Sequence, residues 1–141
     1  MLTFEKCHPK HFEYIAPTTV QLTEFQSLQM PGVAEYFASG IALSAWVSGR
    51  CIGAAGVLPR WKGRAEAWTL FSEDAGKYIW PCLAKMKYVL NNLDFKRVDM
   101  VVQKGNGSGH LIAKRLGFVI EMPLEAWYDG KDYFMYKRIK R

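Results

Sequence analysis

Asn106, Ser108 and His110 stand close together where an apolar run, Val98 to Gln103, gives way to turn residues. A short amphipathic segment follows and closes on Gly117-Phe118. Each side chain has its own chemistry. An imidazole titrates near neutral pH, so His110 at a helix start is a candidate to carry a proton. Ser108 is suited to cap the backbone amides of residues 109 onward. Gly105-Asn106-Gly107 also has the composition of a plain turn, because Asn and Gly tolerate left-handed geometry. Gly117 fits the position after a helix where positive φ is needed, and Phe118 then opens a strand as a core anchor. Glu66 lies on a separate strand-like run, flanked by Lys62 and Arg64. An outward ion pair with either cation is its plainest reading.

Other chemistries are disfavoured. Cys7, Cys51 and Cys82 form an odd set without metal spacing, so reduced thiols in a cytosolic protein are expected. His8 and His11 sit three apart with no carboxylate or thiol pair to complete a site, so no metal is expected. The N-terminus lacks a signal-peptide apolar region, and no apolar run approaches the roughly 20 residues of a membrane span. With 141 residues, half of them hydrophobic, the chain is long enough for one domain with its own core. The net charge of +6 favours anionic partners: phosphate groups, nucleic acid or an acidic protein face.

The elements that must position these residues follow from local pattern. Leu2 to Cys7 alternates as a strand, and His8 to Ile15 makes a helical turn or two, stopped by Pro17. Thr18-Thr19-Val20-Gln21 has capping-box spacing, and Val20, Leu22, Phe25 and Leu28 form a helical stripe ended at Met30-Pro31-Gly32. Ala34 to Ser39 is a short helix or loop. Strands are expected at Gly40 to Val47, Arg50 to Leu58 and Arg64 to Phe71. The small run Gly53-Ala54-Ala55-Gly56 permits a close backbone approach or a bulge. Ser72 to Gly76 leads into the longest helix, whose Ile79, Leu83, Met86, Leu90 and Leu93 share one face. Glu73 and Asp74 sit at its start, where the helix dipole favours negative charge. A strand from Arg97 to Gln103, the short helix, and a hairpin turning at Asp129-Gly130 complete an α/β domain with a mixed sheet of six to seven strands and about four helices.

The order strand, Asn-loop, helix, Gly-Phe over Val98 to Phe118 resembles a segment near the C-terminal end of the GNAT-fold N-acetyltransferases. The resemblance covers residues 40 to 141, with the N-terminal helices fitting by order. It implies that Asn106 holds acetyl-CoA, although the Tyr found seven positions later in that family is Ala113 here. The family's pyrophosphate pattern, often R-G-x-G-I-G, aligns with Ala75-Gly76-Lys77-Tyr78-Ile79-Trp80. Gly76 and Ile79 match, Ala75 replaces Arg, and Tyr78 and Trp80 replace glycines. Backbone amides of Gly76, Lys77 and Tyr78 are then the expected phosphate ligands, with Lys77 adding charge. Leu70, Phe71 and Ser72 occupy the strand whose exposed backbone pairs with the pantetheine amide. The resemblance further implies direct attack of an amine on the thioester, with Glu66 as a base acting through water, His110 facing the same cleft, and Ser108 as a donor to the leaving thiolate.

Three short pieces look similar to small GNAT-like proteins of tailed bacteriophages, including those called internal virion protein A. They are Ile52 to Gly56, Ala67 to Ser72 with its altered phosphate loop, and Gly105-Asn106 with Ser108 and His110. That resemblance implies a host-cytoplasmic or virion-associated protein. Three functions stay open: an acetyl-CoA-dependent N-acetyltransferase with an amine acceptor, a catalytically silent protein of virion assembly or host interaction, and a DNA-associated modification protein. The acceptor pocket is expected from Thr18 to Gly40 and Leu124 to Tyr133, and the edge of the final hairpin is the expected homodimer surface.

Overall fold

Alternating residues from Leu2 to Lys6 build β1, which pairs antiparallel with β2 (Ile41–Val47), Leu2 opposite Val47 and Lys6 opposite Leu43. The computed structural model describes every residue from Met1 to Arg141. β2 turns through Ser48 and Gly49, at φ 48° and 78°, into β3 (Arg50–Trp61). β4 (Arg64–Phe71) runs parallel to β5 (Arg97–Gln103), with Arg64 to Ala67 opposite Arg97 to Met100. β7 (Lys131–Ile139) pairs antiparallel with both β5 and β6 (Val119–Tyr128). The seven strands form a mixed sheet in the order β1-β2-β3-β4-β5-β7-β6.

Four α-helices connect them: α1 (Leu22–Ser27), α2 (Val33–Ser39), α3 (Ile79–Asn91) and α4 (Gly107–Arg115). Short 3-10 helices span Pro9–Tyr14, Thr19–Gln21 and Glu73–Tyr78. The first is capped by histidines. His8 accepts from the Lys10 amide at 3.2 Å, and His11 Nδ1 accepts from the His8 amide at 3.1 Å. Asp129 and Gly130, at φ 52° and 69°, close the last hairpin as the expected type I′ turn. Two expectations fail here. The longest helix starts at Ile79 after a 3-10 turn, not directly from the loop. The capping box at Thr18 does not form, because Thr18 makes no side-chain cap bond and Gln21 turns elsewhere.

The chain packs as two compact units: Met1–Leu58 with Thr69–Cys82, and Pro59–Trp68 with Leu83–Arg141. In the first, Phe12, Ile15, Ile52, Val57 and Leu70 are core residues. A Cβ on Gly53 would meet the Phe71 ring at 2.4 Å and the Leu70 carbonyl at 2.9 Å, so the small-residue run does permit close approach. A bulge accompanies it. Ala45 pairs with Gly53 and Trp46 with Cys51, leaving Ile52 as the extra residue.

The second unit buries Val98, Met100, Val102, Ile112, Ala113, Phe118 and Tyr136. It also buries a carboxylate. Asp99, 3% exposed, accepts from Arg64 Nε at 2.7 Å and Arg97 Nε at 2.6 Å. Arg64 therefore does not pair with Glu66 as its spacing suggests. A buried carboxylate attracts a guanidinium more strongly than an exposed one, because the local dielectric is lower. Glu66 pairs with Arg60 instead.

Candidate active site

Backbone groups alternate sides along a strand, and two bonds fix the sides of β4. The Ser72 amide donates to the Ile52 carbonyl of β3 at 2.9 Å, so residues of Ser72's parity face β3. Gly63, of the other parity, accepts from the Arg97 amide at 2.9 Å. Thr69 and Phe71 share Gly63's parity and turn their backbone groups away from β3. The registered ladder ends at Ala67. At Thr69 and Phe71 the partner is a side chain: Gln21 Nε2 donates to the Thr69 carbonyl at 3.0 Å, and Gln21 Oε1 accepts from the Phe71 amide at 3.2 Å. Leu70 and Ser72, expected at a cofactor edge, have β3-facing parity, so the outward edge consists of Thr69 and Phe71. Thr69 and Gln21 escaped the sequence reading; strand parity points to Thr69 once one bond is known, while nothing local points to Gln21.

The turn after β4 differs from its expected form. Residues Glu73–Tyr78 wind as a 3-10 helix, with the Ala75 amide bonded to the Ser72 carbonyl at 3.2 Å and the Ile79 amide bonded to the Gly76 carbonyl. Amides of a 3-10 helix are consumed three residues back, so Gly76, Lys77 and Tyr78 do not form an open cradle. Ser72 Oγ donates its one proton to the Asp74 carboxylate at 2.6 Å, with the Ile52 carbonyl as the alternative acceptor at 3.0 Å, and Arg50 pairs with Asp74. The Ser72 hydroxyl, ahead of Arg50, holds the Asp74 carboxyl below its usual range. Ala75 is buried, Tyr78 half-buried, and Trp80 is 59% exposed. A Cβ added to Gly76 would meet open space, so crowding does not demand a glycine there.

In the second unit, Asn106 rather than Ser108 caps α4. Its Oδ1 accepts from the Gly109 amide at 3.0 Å, leaving Nδ2 as the group it can offer a ligand. The reason is local. A Cβ at residue 109 would stand 2.6 Å from Asn106 Nδ2 and 2.8 Å from Val102 Cγ1, so the cap requires glycine. Ser108 is exposed in the first turn of α4. His110 is engaged at both nitrogens: Nε2 donates to the Lys104 carbonyl at 3.0 Å, and Nδ1 shares a hydrogen bond with the Tyr136 hydroxyl at 2.7 Å. Tyr136 is fully buried, and burial pushes its phenol above the usual range. These two contacts tie His110 at the start of α4 to β7 and to the loop before α4 within this unit. Glu66 accepts two bonds from Arg60 on one carboxylate oxygen, one from Nε at 3.0 Å.

A third grouping has triad-like distances but no access. His11 Nδ1 already accepts from the His8 amide, so Ser44 donates to it at 2.8 Å, while Nε2 lies 3.3 Å from Glu5. Ser44 has no exposure, so no substrate can reach it. Burial also pushes the Cys51 and Cys82 thiols up to about 11, which disfavours nucleophilic thiolate.

No protein-family model matches the chain, and no curated protein matches it significantly. Solved structures do. Ard1 from Thermoplasma volcanium superposes with a TM-score of 0.76 at 20% identity, covering 98% of this chain and 97% of that one. The IAA acetyltransferase from Bacillus cereus gives 0.74 at 13% identity, covering 99% and 100%. A GNAT-family acetyltransferase from Bacillus anthracis gives 0.69 at 13%, covering 98% and 94%. The fold is the GNAT fold. At these identities the likeness concerns architecture alone. The GNAT architecture matches the expected α/β fold with its mixed sheet, and no helix is long and apolar enough to cross a membrane.

Proposed function

We propose that the protein is an acetyl-CoA-dependent N-acetyltransferase. The outward edge of β4 carries the reading, because its Thr69 carbonyl and Phe71 amide are met by a carboxamide rather than a strand. The pantetheine arm of CoA is built from secondary amides and offers such an edge the same donor and acceptor, as an added strand does. Gly76 and Lys77, with Ala75 and Tyr78 in the same turn, are the residues proposed beside the phosphates. The exposed Lys77 offers charge there, while full use of the amides needs the 3-10 turn to loosen. Asn106 would contribute through Nδ2.

The bound thioester supplies an electrophilic acetyl carbonyl. The chain's own task is to hold it and to manage the proton of the acceptor amine. Glu66 is the proposed base, through water; a partly exposed pair such as Glu66–Arg60 is held by about 1 kcal/mol or less, so it opens readily. Ser108 is the proposed donor to the leaving thiolate. His110 is proposed as a positioning residue, orienting the start of α4 through Tyr136 and Lys104. Calorimetric titration with acetyl-CoA tests the reading: saturable heat supports it, and a flat trace at high micromolar ligand removes it.

A second reading has one observation in its favour. Gln21 on the β4 edge and the wound Glu73–Tyr78 turn also suit a GNAT-fold protein that has lost catalysis, as the phage-type resemblance allows. Finding acetyl-CoA in the purified protein, with its thioester cleaved to CoA and the acetyl group passed to an added amine, would defeat that reading.

A further inference from the structure

We infer that the segment Pro17–Gln21 is a gate on the β4 edge, with the Gln21 carboxamide standing in for the ligand amide. The inference rests on the acetyl-CoA reading and adds its control. Gln21 is polar yet only 9% exposed. Both ends of its carboxamide go to β4, 48 and 50 residues away, and it plays no part in capping its own 3-10 turn. Ordering a long side chain this way is unfavourable unless it satisfies groups that would otherwise be buried without partners. The Thr69 carbonyl and Phe71 amide are such groups.

The attachment is slight. Besides the two side-chain bonds, an isolated bridge joins Pro17 to Ser72. Thr18 Oγ1 next to it is buried without a partner, a sign that this segment is imperfectly satisfied where it lies. α1, which follows directly, has no buried residue, so withdrawing residues 17 to 27 exposes little core. Regions with few buried contacts are those that open at low free energy. A ligand amide in the same register would replace Gln21 one carboxamide for another, so the Thr69 carbonyl and the Phe71 amide would keep their hydrogen bonds.

The test is acetyl-CoA titration of the full chain and of Gln21→Ala, with circular dichroism confirming that the variant folds. Both should bind, the variant about tenfold more tightly, since the competing closed state is removed. If the wild type binds and the variant binds equally or more weakly, the gate is overturned and the cofactor reading stands. Absence of heat from both proteins overturns the cofactor reading and the gate with it. Should the variant fail to fold, hydrogen exchange on the wild type decides. Acetyl-CoA should speed exchange across residues 17 to 21 while the Phe71 amide stays protected. Unchanged or slower exchange across that segment overturns the gate.

Discussion

Two buried carboxamides satisfy backbone groups in this protein, and they work over different ranges. Asn106 accepts from the Gly109 amide three residues on, within one turn of helix. Gln21 reaches groups 48 and 50 residues away on β4. The first bond can form as α4 forms and belongs to the helix. The second joins elements that meet only through tertiary packing, and it can be broken while both keep their local structure. A cap of the first kind stabilises one conformation; a contact of the second kind can choose between two.

Breaking the local contact has the largest expected effect. Gly109→Ala forces a Cβ against Asn106 and Val102, and thermal or denaturant unfolding should show a loss of about 3 kcal/mol. Gln21→Leu leaves the Thr69 carbonyl and Phe71 amide unpaired, at about 2 kcal/mol, with circular dichroism unchanged. That loss should shrink when saturating acetyl-CoA is present, which Gly109→Ala will not show. Asn106→Ala removes a single cap and should cost about 1 kcal/mol, recovered mostly by Asn106→Asp. The smallest effect is in pH. Burial, ahead of the opposing pull of Glu5, holds the His11 imidazole below its usual value. The unfolded chain therefore binds the proton more readily, so stability rises with pH up to the ordinary histidine value and is level above it. A pH series of unfolding midpoints checks the direction, and His11→Gln should flatten it.

The same contrast in range explains what the amino-acid pattern revealed. The Asp129-Gly130 hairpin, the strands and α4 depend on neighbours in the chain, and turn chemistry and periodicity disclose them. Asn106 and Ser108 are both good caps, and what separates them is the missing Cβ of Gly109 against Val102, a tertiary fact. Asp99 draws Arg64 away from Glu66 because β5 brings a buried carboxylate alongside β4. Ala126, at φ 46° in a β6 bulge with its amide bonded to Asp132, carries no glycine to advertise the turn. Gln21 is the extreme case: its spacing from Thr18 suggests a capping box, while its use is decided on β4.

The decisive measurement is the side-chain amide signal of Gln21 in a nitrogen-proton correlation spectrum, followed during titration with acetyl-CoA. In the free protein this pair of protons should be shifted and slow to exchange. Saturation with acetyl-CoA should move it to the position and exchange rate of a solvated glutamine, while the Phe71 amide remains protected. A Gln21 signal that keeps its shift and protection while acetyl-CoA binds would contradict the account.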